Sequence, residues 1–374
     1  METIDVPRGL KGVVVTDTEI GDVRGDEGFY HYRQYSAVEL AEKRSLEDVW
    51  FLMFEGNLPS DGERSAFAAE VAPLRALPPV LLDLLPALAG SEPLDGLRSA
   101  LSILGAARRM RPVYDLDNAS RRADALALCA ATPTILAALH RVGRGLAAVT
   151  PRDDLGAAAN YLWMVTGTVP SADEARAVEQ YLISTVDHGF NASTFTARVI
   201  ASTGADMAAC VVGAVGALSG PLHGGAPSRA LDTIDAIGTP SNIDAYIRPR
   251  IEAGERIMGF GHAVYRTEDP RSRLLHGVAQ RLGGARIALA EQVERRVVEL
   301  LAELKPGRHL YANVEFYAGV VMERCGLPPE MFTPTFASSR VIGWCANVLE
   351  QARDSKIIRP AARYVGPPAP APVP

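Results

Sequence analysis

From Ser36 onward the chain is dominated by apolar residues at helical spacing, interrupted by short polar and glycine-containing stretches. The run SAVELAEKRSLEDVWFLMFEG ends on Gly56. SADEARAVEQYLISTVDHG opens with Ser171 and Glu174 at the separation of a capping box, in which side chain and backbone satisfy each other at a helix start. Ahead of these, Gly12 to Ile20 and Phe29 to Gln34 are β-branched and aromatic on either side of the turn-rich GDVRGDEG, which predicts one short N-terminal β-hairpin. The fold class is therefore all-α with that single hairpin. Thr194 to Leu218 reads as one long helix carrying Gly204, Gly213 and Gly216. Glycine inside a helix costs about 1 kcal/mol against alanine, so close approach of another helix is the expected reason, at a core crossing or at a subunit interface. No internal repeat is present. The closing GPPAPAPVP, residues 366–374, has no apolar period and is expected to be a disordered tail.

With 374 residues, 48% hydrophobic and 22% charged, the chain can bury a large core as one big domain or two unequal ones. METIDVPRGL has neither a basic start nor an apolar run. The longest weakly polar stretch, Ala208 to Leu222, is too short for a membrane span, so neither export nor insertion is expected. Cys129, Cys210, Cys325 and Cys345 lie far apart without CxxC spacing, which fits neither a disulfide framework nor a zinc site and suits a reducing cytoplasm. A formal net charge of −6 argues against nucleic acid or anionic membrane as the main partner. An anionic ligand must then be met by local arginines.

Three of the seven histidines sit beside glycine at helix junctions: His188 in VDHGFNAS, His223 in SGPLHGGAPS and His262 in MGFGHAVYR. Such loops let a ligand approach the imidazole closely; a cap or a satisfied core histidine is the alternative for each one alone. No HxxxH or HExxH spacing points to a metal. In TEDPRSRLLHGVAQRLGG, Asp269 reads as an N-cap, Pro270 as the first helical residue, and Gly283 or Gly284 as the terminator. Arg271 and Arg273 then fall in the first turn, against the helix dipole, which suits a docked anion; an exposed, solvated pair is the plain alternative. Arg340, Arg353, Lys356, Arg359 and Arg363 follow near the C-terminus, with only Glu350 and Asp354 among them, and arginine forks match carboxylates. Asn313 reads as a second N-cap, placing Glu315 in a first turn where the dipole favours an ionised carboxylate, although acidic residues are common there.

The strings VDHGFNASTFTARV, SGPLHGGAPS, IMGFGHAVYRTEDPR, NVEFYAGVVM, FASSRVIGWCANVLEQ and KIIRPAARYVGP resemble the successive signature blocks of the citrate synthase family. They stand in that family's order and spacing from roughly Gly9 to Gly366, and GLKGVVVTDTEI is similar to the start of its shorter bacterial and archaeal members. The resemblance implies condensation of an acyl-CoA with a 2-oxo dicarboxylic acid such as oxaloacetate, followed by thioester hydrolysis, with no metal and no cofactor beyond the acyl-CoA substrate. It implies that His188, His262, Arg271 and Arg340 hold oxaloacetate, and that Arg359 reaches the site from the other subunit of an obligate homodimer. His223 would hydrogen-bond the thioester oxygen, Glu315 would take the acyl α-proton, and His262 would donate to the oxaloacetate carbonyl. Arg266 and Lys356 would meet CoA phosphates. A large helical domain of residues 1–222 and 328–374 and a small domain of residues 223–327 would close on each other about glycine-rich hinges at Gly220 to Gly225 and Gly326 to Pro329.

Three positions depart from the family pattern. Glu315 stands where aspartate is usual, Gln34 where glycine follows YR, and Ala361 where an arginine is common. Glutamate is one methylene longer, and misplacement by about 1 Å can cost on the order of 100-fold in rate, so the pocket must have adjusted for turnover to be high. Three activities stay open: citrate synthase using acetyl-CoA, 2-methylcitrate synthase using propionyl-CoA, and a homologue that binds CoA or dicarboxylates without useful turnover. One methyl group is worth only ~1–3 kcal/mol of discrimination, so the first two share these blocks. The full set of histidines and arginines speaks against the third.

Overall fold

The N-terminal sheet forms later in the chain than its apolar pattern predicts. Strand β1 (Gly21–Arg24) pairs antiparallel with β2 (Phe29–Tyr32), from Gly21 opposite Tyr32 to Arg24 opposite Phe29, and β3 (Tyr35–Ser36) adds to the far edge of β2. Gly12 to Ile20 is not a strand. The tight turn between Arg24 and Phe29, with Gly28 at φ +62° and Glu27 N–H donating to Arg24 O, pairs β2 with whatever precedes it, and that is the polar GDVR. Tyr30 and Tyr32 alternate into the core. At the turn from β2 to β3 the left-handed residue is Arg33 (φ +50°), so position 34 has no need of glycine and accommodates Gln34.

The computed structural model describes residues 4–223, 226–261, 264–305 and 310–370, with backbone alone for 226–230. His262 lies outside the described residues, as do the last four of the expected tail. Helix α1 (Ala37–Lys43) is capped by Ser36 and α2 (Leu46–Glu55) by Ser45, whose side chain accepts from Asp48 N. That serine breaks what the apolar spacing reads as one run, because a cap offers the backbone a better partner than helix continuation. Gly56 ends α2 at φ +87°. Then follow α3 (Asp61–Val71), α4 (Pro79–Leu88), α5 (Pro93–Ala107), α6 (Asn118–Gly143), α7 (Ala157–Thr166) and α8 (Ala172–Thr185), the last with the expected capping box at Ser171 and Glu174. Helix α6 holds an apolar run longer than Ala208 to Leu222, long enough to cross a membrane; its apolar window is 78% buried inside the molecule, as a core helix.

The stretch from Thr194 to Leu218 is two helices, α9 (Ala192–Ala201) and α10 (Met207–Leu218). Gly204 turns the chain at φ +82° against the ring of Tyr114, and Asp206 caps the restart by accepting from Ala209 N. A Cβ on Gly213 would lie 2.2 Å from Ile200 Cδ1, so that glycine lets α10 pack back on α9, a core crossing. Nothing lies within 4 Å of the corresponding point on Gly216.

Helices α11 (Ala226–Ile237), α12 (Ile243–Glu252), α13 (Pro270–Leu282), α14 (Ala285–Leu304) and α15 (Val314–Arg324) pack mainly on one another, α13 on α15 most closely. The final helix, α16 (Phe332–Gln351), runs through the core against α6, α8, α9 and α10. Helix α8 touches α13, α15 and α16, helices from both parts of the chain. The four cysteines are buried and unpaired.

Candidate active site

Asp269 caps α13 and organises two helix starts at once. Its Oδ1 accepts from Arg271 N and Arg271 Nε, both at 3.0 Å, and its Oδ2 accepts from Arg271 Nη2 at 2.8 Å and from Val314 N of α15 at 3.3 Å. Arg271 is 4% exposed. Burial works against its charge, but Asp269 outweighs burial and holds the guanidinium above its ordinary value. The electrostatic cost of a cation in a first turn is thus met by the cap residue. Arg273, two places on, is exposed and lies 3.9 Å from Glu268.

Arg340 enters from α16. Its Nε donates to Thr185 O at the end of α8, 2.7 Å away, and its guanidinium carbon lies 4.4 Å from the centre of the Phe336 ring. Burial lowers its pKa, opposed by Asp187. Asp187, immediately before His188, is pushed up to about 6 by burial, against the pull of Arg340 and of hydrogen bonds from Gly189 N and Asn347 Nδ2. His188 Nε2 pairs with Tyr265 Oη at 2.8 Å, and its ring packs 5.5 Å from both Tyr265 and Tyr30. The Arg271 guanidinium carbon lies 5.9 Å from the Tyr265 ring, so His188 and Arg271 flank one phenol.

His223 Nε2 lies 2.8 Å from Ser193 Oγ. Ser193 Oγ also receives Trp344 Nε1–H at 3.1 Å and approaches Asn191 Oδ1 at 2.8 Å, an oxygen that caps α9 at Thr194 N. A hydroxyl has one proton and Asn191 Oδ1 can only accept, so this network satisfies all its members when Ser193 donates to Asn191 and His223 Nε2–H donates to Ser193. Burial, helped by Arg340, pushes His223 down to about 4, and the imidazole is neutral at pH 7.

Glu315 sits in the first turn of α15 behind the predicted cap, Asn313, whose Oδ1 accepts from Glu315 N at 3.2 Å. Asn313 also ties this turn to the loop before His262: its N donates to Gly259 O at 2.8 Å and its Nδ2 to Gly261 O at 3.1 Å. Burial raises the Glu315 carboxyl above its ordinary value, with Arg271 and Arg340 pulling the other way and Asp269 adding to the rise. The Glu315 carboxyl is thus more basic than a solvated glutamate although Arg271 and Arg340 both act on it.

His188, Arg271 and Arg340 thus lie about the end of α8, with Glu315 tied to Arg271 through Asp269 and His223 tied to α16 through Ser193 and Trp344. Arg266 shares a cavity of about 140 Å³ with Tyr265, Asp269 and Tyr311, and its N donates to Gly25 O at the hairpin tip. Arg359 and Lys356 lie on the exposed segment after α16, and among the described residues neither side chain has a hydrogen bond or ion pair. A larger cavity of about 360 Å³ opens between Arg256, Phe260, Gly261, Lys305 and Leu310. Its two cations escape sequence reasoning, since they are separated along the chain and only the pinned loops bring them together. Asp187, Ser193 and Trp344 escape it as well, although each lies in or beside a glycine-flanked histidine block or the α16 block. Among the described residues no group of His, Cys, Asp and Glu is arranged to hold a metal ion.

Comparison with known proteins accounts for the order of these elements. The model of the citrate synthase C-terminal domain matches residues 9–361. A citrate synthase of Deinococcus radiodurans is 37% identical over 368 residues, 97% of this chain and 96% of its own length. A 2-methylcitrate synthase of Mycobacterium tuberculosis is 38% identical over 366 residues, 98% of this chain and 92% of its own. The crystal structure of citrate synthase from Pyrobaculum aerophilum aligns with a TM-score of 0.90 at 33% identity, covering 100% of this chain and 99% of that one. The citrate synthase from Thermoplasma acidophilum, in a ternary complex with carboxymethyl coenzyme A and oxaloacetate, aligns with a TM-score of 0.90 at 28% identity and the same coverage. A family model spanning nearly the whole chain, together with these full-length relatives, places the chain in the citrate synthase family.

Proposed function

We propose that the protein condenses acetyl-CoA with oxaloacetate and hydrolyses the resulting thioester to citrate and CoA. The observation that supports this reading is that Arg340 binds Thr185 O at the end of α8, Arg271 and His188 flank Tyr265 beside it, and Asp269 ties Arg271 to the helix start that carries Glu315. Arg271 and Arg340 offer donor forks to the oxaloacetate carboxylates, joined by His188 and by Arg359 from the second subunit of a homodimer. His223 Nε2 is engaged by Ser193, which leaves Nδ1 for the thioester oxygen. Nδ1 carries a proton in the other tautomer, reached when the Ser193 hydroxyl gives up its bond to Asn191 and donates to Nε2 instead.

Glu315 then removes the acyl α-proton while Nδ1–H of His223 stabilises the enolate oxygen. A carboxylate is a weak base for this step, and the elevated basicity of Glu315 together with a positioned donor to the oxyanion lowers the barrier. The enolate carbon attacks the oxaloacetate carbonyl carbon, whose oxygen takes a proton from His262, and water cleaves the CoA thioester. Arg256 and Lys305 suit the CoA phosphates at the larger cavity, alongside Arg266 and Lys356. We assign residues 1–222 and 328–374 to a large domain and 223–327 to a small one; the grouping of α11 to α15 supports this, as does Gly326 at φ +82°. The setting is cytoplasmic, in keeping with four free thiols.

The 38% identity to a 2-methylcitrate synthase keeps propionyl-CoA as a second acyl donor. CoA release measured with acetyl-CoA and with propionyl-CoA at fixed oxaloacetate tests the proposal. Oxaloacetate-dependent release, faster with acetyl-CoA, is expected. Faster release with propionyl-CoA would make the protein a 2-methylcitrate synthase, and no release with either would leave a binding protein.

A further inference from the structure

Tyr181 lies on α8 one turn before Thr185, the residue whose carbonyl holds Arg340. Its side chain is 1% exposed, and its Oη is buried without a hydrogen-bond partner among the described residues. The other buried tyrosines nearby are satisfied. Tyr30 donates to Ser184 O, Tyr32 to Ile183 O, Tyr161 pairs with Thr335 and Tyr265 with His188. A buried hydroxyl with no acceptor is destabilising, and phenylalanine would fill the same space without that cost. The hydroxyl therefore calls for an acceptor in the working enzyme.

Helix α8 packs against α13, α15 and α16, the three helices that carry Arg271, Glu315 and Arg340. The Tyr181 phenol is close enough to feel all three charges, that of Glu315 most. Of the three only Glu315 can accept a hydrogen bond, since a guanidinium has donors alone. Burial, reinforced by Glu315, pushes proton loss from this phenol far above its ordinary range, so it keeps its hydrogen at any working pH.

We propose that the Tyr181 hydroxyl is a positioning group for Glu315, donating to one carboxylate oxygen and leaving the other to face the acyl α-carbon. This rests on the reading of Glu315 as the base, and it explains how a side chain with one more torsion than aspartate is aimed. The extra torsion adds rotamers that compete with the productive one; a donor fixed on a core helix selects among them.

The test is Tyr181→Phe, assayed beside wild type and Glu315→Gln. The expected result is a kcat at least ~10-fold lower with KM for oxaloacetate unchanged, because the substrate arginines are untouched. The acid limb of the kcat–pH profile should move to higher pH, since the ionised carboxylate has lost a donor. The thermal midpoint of the unliganded protein, in which the hydroxyl has no described partner, should stay equal or rise. In a Glu315→Asp background, where the carboxylate is withdrawn, Tyr181→Phe should have little further effect. An unchanged kcat, as for a hydroxyl held only by a buried water, would overturn the proposal, as would a raised oxaloacetate KM at constant kcat. Full turnover by Glu315→Gln would instead remove the base assignment itself, whatever Tyr181→Phe does.

Discussion

Asp269 grips Arg271 through both carboxylate oxygens, at 3.0 Å to Nε and 2.8 Å to Nη2, while the same carboxylate accepts Val314 N at the start of α15. One acid thus sets the spacing between the helix turn that carries Arg271, the proposed substrate cation, and the turn that carries Glu315. Removing it leaves a buried guanidinium without its counter-charge, a loss of about 3–5 kcal/mol in comparable buried pairs. Asp269→Ala should lower the thermal midpoint markedly, and in the folded fraction kcat/KM for oxaloacetate should fall by more than ~100-fold. Asp269→Asn, which keeps one acceptor, should be milder on both counts. Chemical unfolding and steady-state kinetics on the same preparations check this.

His223 should remain neutral well below the pH at which an ordinary histidine titrates. Its folded pKa is lowered to about 4, so between the unfolded value and that figure the folded state resists a proton that the unfolded chain binds. Stability from this group is complete above about pH 6.5 and is lost as the pH falls toward 4. Imidazole ¹⁵N shifts followed from pH 8 to 4 should show His223 neutral until the lower end; a midpoint near 6.5 would contradict the burial argument.

Asp187 shows the opposite sign. Its folded pKa is raised to about 6, so its contribution is greatest below the unfolded value near 3.8 and is lost as the pH rises through 6. The unfolding free energy of wild type relative to Asp187→Asn should therefore decline between about pH 4 and pH 6. A difference that grows over that interval would mean that Arg340 outweighs burial.

The proposed contribution of Arg359 across a homodimer is tested by mixing. Arg359→Ala and His223→Ala chains, unfolded together and refolded, should regain about one quarter of wild-type activity, because half the dimers are mixed and each of those holds one complete site. Mixed samples as inactive as the separate variants, with heterodimers verified, would contradict it.

Much of this site is legible in the sequence because its parts stand at helix starts. Asp269, Pro270 and Gly283 delimit α13, and Asn313 delimits α15, as the capping chemistry of those residues requires. The break at Gly204 is less legible, since an apolar period continues across it and the turn is imposed by Tyr114 from a distant segment. The true β1 hides in GDVR because register follows the turn at Gly28 and not the preceding β-branched run. Tyr181 reads from sequence as one more apolar position on α8. Only the packing of α13, α15 and α16 on α8 leaves its hydroxyl buried without a described partner.

Whether Glu315 works as the base in a pocket fitted to glutamate is tested most directly by kcat of Glu315→Asp against wild type. A pocket fitted to the longer side chain should lose ~10-fold or more in kcat when the carboxylate is drawn back, with oxaloacetate binding retained. A higher kcat for Glu315→Asp would contradict the account, showing a site still shaped for aspartate.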